Sequence, residues 1–137
     1  MFFSKNSEDK IFKDIVSNNY AIIEFKPDGT IISANSNFLN TMGYSLNEIV
    51  GKHHSIFCED RFVSSKEYKQ SWDDLRAAKS LIAEFKRVKK DKTLVFLRAS
   101  YMPVIKNGSV SKIIKIAQDI TKDRLKNLDN LAQVKAI

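Results

Sequence analysis

The stretch from Leu81 to Thr121 leaves this chain few ways to fold. It reads as three β-strands joined by two tight turns. Leu81–Val88 is the first strand, Asp91-Lys92 turns it back into Thr93–Tyr101, and Asn107-Gly108 leads into a third strand running from Val110 to Ile120. Asn-Gly between two apolar, β-branched runs is a strong hairpin signal, because both residues tolerate positive φ. The third strand carries Ile114, Ile116 and Ile120 on one parity and Ile113 and Ala117 on the other. Apolar residues on both parities imply that both faces of the sheet are covered. Helices from the chain upstream can cover one face. The N-terminal helix, a partner subunit, or both are expected on the other.

The upstream chain supplies those helices and two more strands. Asn6–Asn19 reads as an amphipathic helix, with Ile11, Phe12, Ile15 and Val16 on one side. Tyr20–Phe25 and Ile31–Ala34 are strands around the turn Lys26-Pro27-Asp28-Gly29-Thr30. Asn35–Met42 is a short helix stopped by Gly43, and Ser45-Leu46-Asn47-Glu48 is a capping box for a second one that ends at Gly51. Ser64-Ser65-Lys66-Glu67 is read as another capping box. It opens a longer helix through Ala78, with Tyr68, Trp72 and Leu75 on one face. Lys122–Ile137 is helical in character, with Leu125, Leu128, Leu131 and Val134 as a short coiled-coil start. It ends without a cap, so the chain is expected to continue in the natural protein. Five antiparallel strands with the helices gathered on one face make an α+β layout.

Several function classes lose support here. The single cysteine, Cys58, excludes an internal disulfide, and no apolar run is long enough to span a bilayer. Met1-Phe2-Phe3-Ser4-Lys5 lacks the regions of a secretion signal, and together these point to the cytoplasm with no direct membrane insertion. A net charge of +7 permits weak association with polyanions, but no nucleic-acid motif accompanies it, so no nucleic-acid partner is expected. No glycine-rich phosphate loop, nucleophile elbow or metal-ligand cluster is present, so no catalytic or metal site is assigned and an enzyme is not expected. Asp73-Asp74 and Glu59-Asp60 read as solvated helix-end charge.

An ordered set of motifs now carries a resemblance. These are Pro27–Asn35, Asn37-Phe38, Gly43-Tyr44, Glu48–His54, Trp72–Leu75, Phe85–Arg87, Ala99–Val104 and Asp119-Ile120-Thr121. Over about residues 18 to 121 the chain resembles a PAS domain of the kind found at the front of bacterial methyl-accepting chemotaxis transducers of the aerotaxis type. The resemblance implies a PAS fold: a five-stranded antiparallel sheet, short helices on one face, and flanking N- and C-terminal helices. Residues 1–19 would be the N-terminal flanking helix, 20–121 the sensor domain and 122–137 the start of an output helix. It also implies a homodimer, a downstream signalling domain in the same chain, and a pocket for a cofactor.

FAD, sensing redox or energy state, is the first cofactor the resemblance implies. Haem held by His53 or His54 is one alternative, and a cofactor-free dimerisation module is another. Trp72 stands where the flavin-binding members carry a tryptophan beside FAD, although it also suits the inner face of its helix as plain core. Asn35 aligns with an asparagine of that group and equally suits a helix N-cap. Arg87 stands where that group has asparagine and would meet a phosphate or the flavin carbonyls. His54 stands where the light-oxygen-voltage subgroup needs its thiol, which disfavours that photochemistry; Cys58 reads as a small buried hydrophobe. Asp119 and Thr121 are the expected signal relay, satisfying N–H groups at the start of the output helix. Two departures from the family stand out: Ala78 and Lys92 occupy positions where glycine is common.

Overall fold

A computed structural model describes the backbone of residues 5–136 and the side chains of residues 7–128. The expected Leu131 and Val134 contacts and residues Met1–Ser4 lie outside the described residues. In chain order the elements are α1 (Lys5–Asn19), β1 (Ala21–Phe25), β2 (Ile31–Ala34), α2 (Ser36–Met42) and α3 (Leu46–Ile49). A 3-10 turn (His54–Phe57), α4 (Asp60–Val63) and α5 (Lys66–Arg76) follow. The chain closes with β3 (Leu81–Val88), β4 (Leu94–Lys106), β5 (Ser109–Asp119) and α6 (Thr121–Ala136). The strands form one antiparallel sheet in the order β2-β1-β5-β4-β3, so the last strand in sequence lies at its centre. The architecture is α+β, as the strand and helix pattern implies.

Turn chemistry fixes the registers. Asn107 (φ 53°) and Gly108 (φ 81°) both take the left-handed conformation, and Lys106 pairs with Ser109 across them. The β3–β4 connection runs from Lys89 to Thr93. Its closing bond runs from Lys89 N–H to Thr93 O at 2.9 Å, with Lys92 at φ 73°. That loop is tied down twice. Lys90 N–H donates to Met42 O at 2.9 Å, and the Lys90 ammonium meets Glu48 at 2.6 Å.

The start of α5 corrects the capping box read at Ser64. Ser65 is the cap, and its Oγ accepts from Tyr68 N–H at 3.2 Å. Glu67 is therefore the second helical residue and too early to reach back. Ser64 is already used as the C-terminal cap of α4, a four-residue helix that sequence periodicity is too short to reveal. At the other end α5 stops at Arg76, and Ala78 takes φ 65° without being glycine.

The two sheet faces differ. The inner one carries Ile23, Phe25, Val95, Leu97, Ala99, Tyr101, Ile113 and Ala117 into a core shared with Phe38, Met42, Ile49, Phe57, Trp72 and Leu75. Each large side chain fully buried there contributes about 1.5–3 kcal/mol. The outer face leaves Ile82 and Met102 exposed. The N-terminal helix does not cover it as expected. The Ile11, Phe12 and Ile15 stripe of α1 faces solvent, Phe12 at 69% exposure. One end is covered by the first turn of α6, where the Arg124 guanidinium sits 4.5 Å from the Phe96 ring centroid.

Candidate functional site: a buried polar cluster beside a groove

The site begins at the β1–β2 turn. Gly29 takes φ 90° there, and its carbonyl accepts from His54 N–H at 2.9 Å. The His53 Nδ1 accepts from Ser55 N–H at 3.0 Å, so Nε2 carries the proton and donates to Asp28 O at 2.9 Å. A Cβ on Gly29 would stand 2.5 Å from that Nε2. The turn thus grips His53 outside, and the next residue, His54, points into the core.

His54 is buried and its two ring nitrogens are both engaged. Nδ1 lies 2.8 Å from the Tyr68 hydroxyl, and Nε2 lies 2.9 Å from the Tyr101 hydroxyl. Arg87 Nη2 donates to the same Tyr101 oxygen at 3.1 Å. With that oxygen accepting from Arg87, the Tyr101 proton is directed at His54 Nε2, and Nδ1–H then points to Tyr68. The Cys58 Sγ lies 3.7 Å from Nδ1. Lys115 comes in from β5, its ammonium 4.9 Å from the Tyr101 ring centroid and 5.9 Å from that of Phe38. Two cations are therefore buried together, Arg87 at 4% exposure and Lys115 at 1%.

Burial sets most of the ionisation. It holds the His54 pKa well below the usual imidazole range, with Arg87 and Lys115 pushing the same way. It likewise lowers Lys115 and raises the Cys58 thiol. Burial alone would raise the Tyr101 phenol, but Lys115 and Arg87 outweigh it and bring the pKa down. Cys58 is accordingly a buried thiol beside a neutral imidazole.

Trp72 closes one wall, edge-on to His54 at 5.3 Å and to Phe25 at 5.7 Å between ring centroids. Inside His54, Tyr68, Trp72, Leu75, Phe85, Arg87 and Tyr101 the free space is about 20 Å³. That is room for one water. Outside it, between α4, α5 and β3, runs a groove of about 600 Å³, lined by Phe62, Ser71, Leu81, Phe85 and Arg87 among others. Those five residues border both spaces. The Arg87 guanidinium lies across the Phe85 ring at 4.7 Å and the Phe62 ring at 5.6 Å. Among the described residues, Arg87 Nε is the buried side-chain nitrogen left without a hydrogen-bond partner.

Of the residues singled out in the sequence, the fold brings Trp72, Arg87 and His54 to one cavity. Asn35 is not brought there. Its Oδ1 accepts from Ile22 N–H and Phe38 N–H, and its Nδ2 donates to Ser17 O and Tyr20 O, so it caps α2 and ties down α1. Asp119 and Thr121 form the junction into α6. Asp119 Oδ1 accepts from Thr121 N–H at 2.9 Å, and Thr121 Oγ1 accepts from Phe96 N–H of β4 at 2.9 Å. Sequence reasoning missed Lys115, Tyr68 and Tyr101. The available signal was Lys115 itself, which shares the parity of Ile113 and Ala117.

Neither large cofactor fits these residues as packed. A flavin ring stacked on Trp72 needs far more than the water-sized space there, since pockets for such ligands run roughly 300–1,000 Å³. The groove has that size but is not lined by Trp72. For haem, an imidazole must offer iron a lone pair, and the nitrogens of His53 and His54 are all committed within the protein. Among the described residues no cluster of three or more metal-ligating side chains occurs, and no helix is long and apolar enough to cross a membrane.

Comparison with known proteins supplies the rest. The sequence profile of the PAS domain family matches residues 19–122. The biofilm dispersion protein BdlA of Pseudomonas aeruginosa is 37% identical over 114 residues, which is 82% of this chain and 27% of that protein. The chain thus spans about a quarter of that relative's length. An RNA-binding light-oxygen-voltage receptor superposes with a TM-score of 0.76 at 16% identity, over 99% of this chain and 39% of the other. A PAS domain from Colwellia psychrerythraea gives 0.69 at 19% identity, covering 85% and 97%. A light-oxygen-voltage domain solved in work with a flavin analogue gives 0.69 at 15%, covering 92% and 96%. At these identities the likeness to solved structures shows the fold.

Proposed function

The chain belongs to the PAS domain family, and from that premise we propose that it is the cytoplasmic sensory input domain of a chemotaxis-transducer-like signalling protein. The state of the site beside β3 is passed to α6. One observation carries this reading. Glu84 lines the groove, and its carboxylate also holds Arg98 of β4 and Arg124 of α6, each at 3.4 Å. β3 therefore presents Arg87 to the site and Glu84 to the output helix, three residues apart. A small shift of this edge strand changes what holds α6, while Asp119 and Thr121 fix the helix to the end of β5 and to Phe96. Signal then passes as a shift in population between two arrangements of the junction.

Redox sensing through FAD is the finer form that the family resemblance suggests. Trp72 and Arg87 meeting at one cavity supports it; the water-sized space beside Trp72 counts against it. The absorption spectrum of freshly purified protein tests it, with release of stoichiometric FAD requiring the core to open around Trp72. A homodimer is supported by the exposed stripe of α1 and the exposed Ile82 and Met102 of the outer sheet face. The test of the sensory reading uses the full-length protein. Thr121→Ala and Glu84→Gln are expected to lock or bias the output, while Trp72 fluorescence stays that of the folded domain. Wild-type output from both variants sinks the reading.

A further inference from the structure

Buried arginine and lysine almost always meet a carboxylate, because an unpaired buried charge is expensive. Here none of the described Asp or Glu residues is buried, and no ion pair involves Arg87 or Lys115. The groups facing the pair are His54, Cys58, Tyr68 and Tyr101, all neutral or weakly acidic. The acids of the groove are spoken for or exposed. Glu59 pairs with Lys86 at 2.8 Å, Glu84 with Arg98 and Arg124, and Glu67 is exposed. The cluster thus holds positive charge that the described chain does not neutralise, and a guanidinium with an N–H to spare.

We propose that Arg87 is the anchor of a binding site for a small organic monocarboxylate, whose apolar body lies in the groove against Phe62, Leu81 and Phe85. This rests on the sensory reading and names its ligand class. Arg87 already borders both the groove and the inner cavity, its guanidinium flanked by the rings of Phe62 and Phe85. A carboxylate there gains charge-assisted bonds from the fork, with Tyr101 and Lys115 behind it. The groove, at about 600 Å³, has the size of a small-molecule site. The rim carries Arg61 and Lys86 as well as Glu59, Glu67 and Glu84, and Arg87 is the lining cation that also borders the inner cavity. The ligand would bear on β3 itself, the strand that holds Arg124 through Glu84.

Trp72 is the sole tryptophan and stands beside the cluster, so its emission reports occupancy. The probes are sodium acetate, butyrate and benzoate, with benzamide as the uncharged match for benzoate. The expected result is that at least one carboxylate shifts Trp72 emission and raises the melting temperature, and that benzamide is weaker by at least about tenfold. Arg87→Gln is expected to lose the response and Arg87→Lys to keep part of it. Equal binding of benzoate and benzamide overturns the inference, as does Arg87→Gln that binds like wild type. Silence from all three carboxylates up to about 10 mM also overturns it. If Arg87→Gln fails to fold, the benzoate and benzamide comparison on wild-type protein decides alone. Absent binding with altered output from Thr121→Ala sinks this inference only. Binding with unaltered output from the junction variants sinks the sensory reading only.

Discussion

The two faces of the one sheet reverse the usual placement of polarity. On the inner face of β5, Lys115 is buried between Ile113 and Ala117, while Ile114 and Ile116 point the other way and remain half-exposed. β3 repeats the pattern: Arg87 is buried inward, and Ile82 is 73% exposed outward. A fold seeking only stability would exchange them. The inner face therefore gives up stability to hold charge at a place where solvent cannot screen it, and the outer face keeps apolar surface where another surface can bury it. The first arrangement suits a ligand and the second suits a partner chain.

The largest effect should come from removing the atom the inner cluster converges on. Tyr101→Phe leaves Arg87 and His54 without their acceptor and donor, and is expected to destabilise by about 3 kcal/mol in urea unfolding. A loss under about 0.5 kcal/mol would mean the cluster is not a bonded unit. Lys115→Met sharpens the contrast from the other side. Replacing a buried cation by an apolar chain of similar shape is expected to raise stability by about 1–2 kcal/mol. A destabilised Lys115→Met would show that the ammonium has a stronger partner than Tyr101.

Acid should also separate the faces. His54 is held neutral by burial, with its native pKa below 6.5. The unfolded chain therefore takes up a proton near pH 6.5 that the native chain does not. Stability rises with pH up to about 6.5 and falls below it, by at most about 1.4 kcal/mol per pH unit. Unfolding curves collected from about pH 5 upward should show the slope, and His54→Gln should flatten it. An unchanged slope in His54→Gln would assign the effect to the carboxylates instead. On the outer face, Ile82→Lys should leave monomer stability within about 0.5 kcal/mol. It should weaken the proposed dimer in sedimentation, and an unchanged mass would free that face of a partner role. The smallest effect lies outside both faces. Ala78→Gly should stabilise by about 0.5–1 kcal/mol through relief of its positive φ.

Much of the frame was legible because it is written locally. Asn107-Gly108, the β3 boundaries from Leu81 to Val88 and the Asp119–Thr121 junction each follow from a few adjacent residues. The cluster is not local. His54, Tyr68, Arg87, Tyr101 and Lys115 come from five different elements, and pairing them requires the register of the sheet. Periodicity placed Tyr68 with Trp72 and Leu75, but could not say which ends face a histidine. Asn35 shows the converse: its helix-cap role was readable from its neighbours, and that is the role the fold gives it.

The grip of the β1–β2 turn on His53 has a genetic consequence. Gly29 touches none of the five cluster side chains, yet a single added carbon would collide with His53 Nε2 at 2.5 Å and displace the residue that delivers His54. Its φ of 90° penalises the same substitution again. A random screen for altered signalling should therefore recover lesions at Gly29 alongside those at Arg87 and Thr121. Such alleles would look like loss of ligand recognition while every recognising side chain is intact. Second-site suppressors should then map to the turn from Lys26 to Thr30 rather than to the groove.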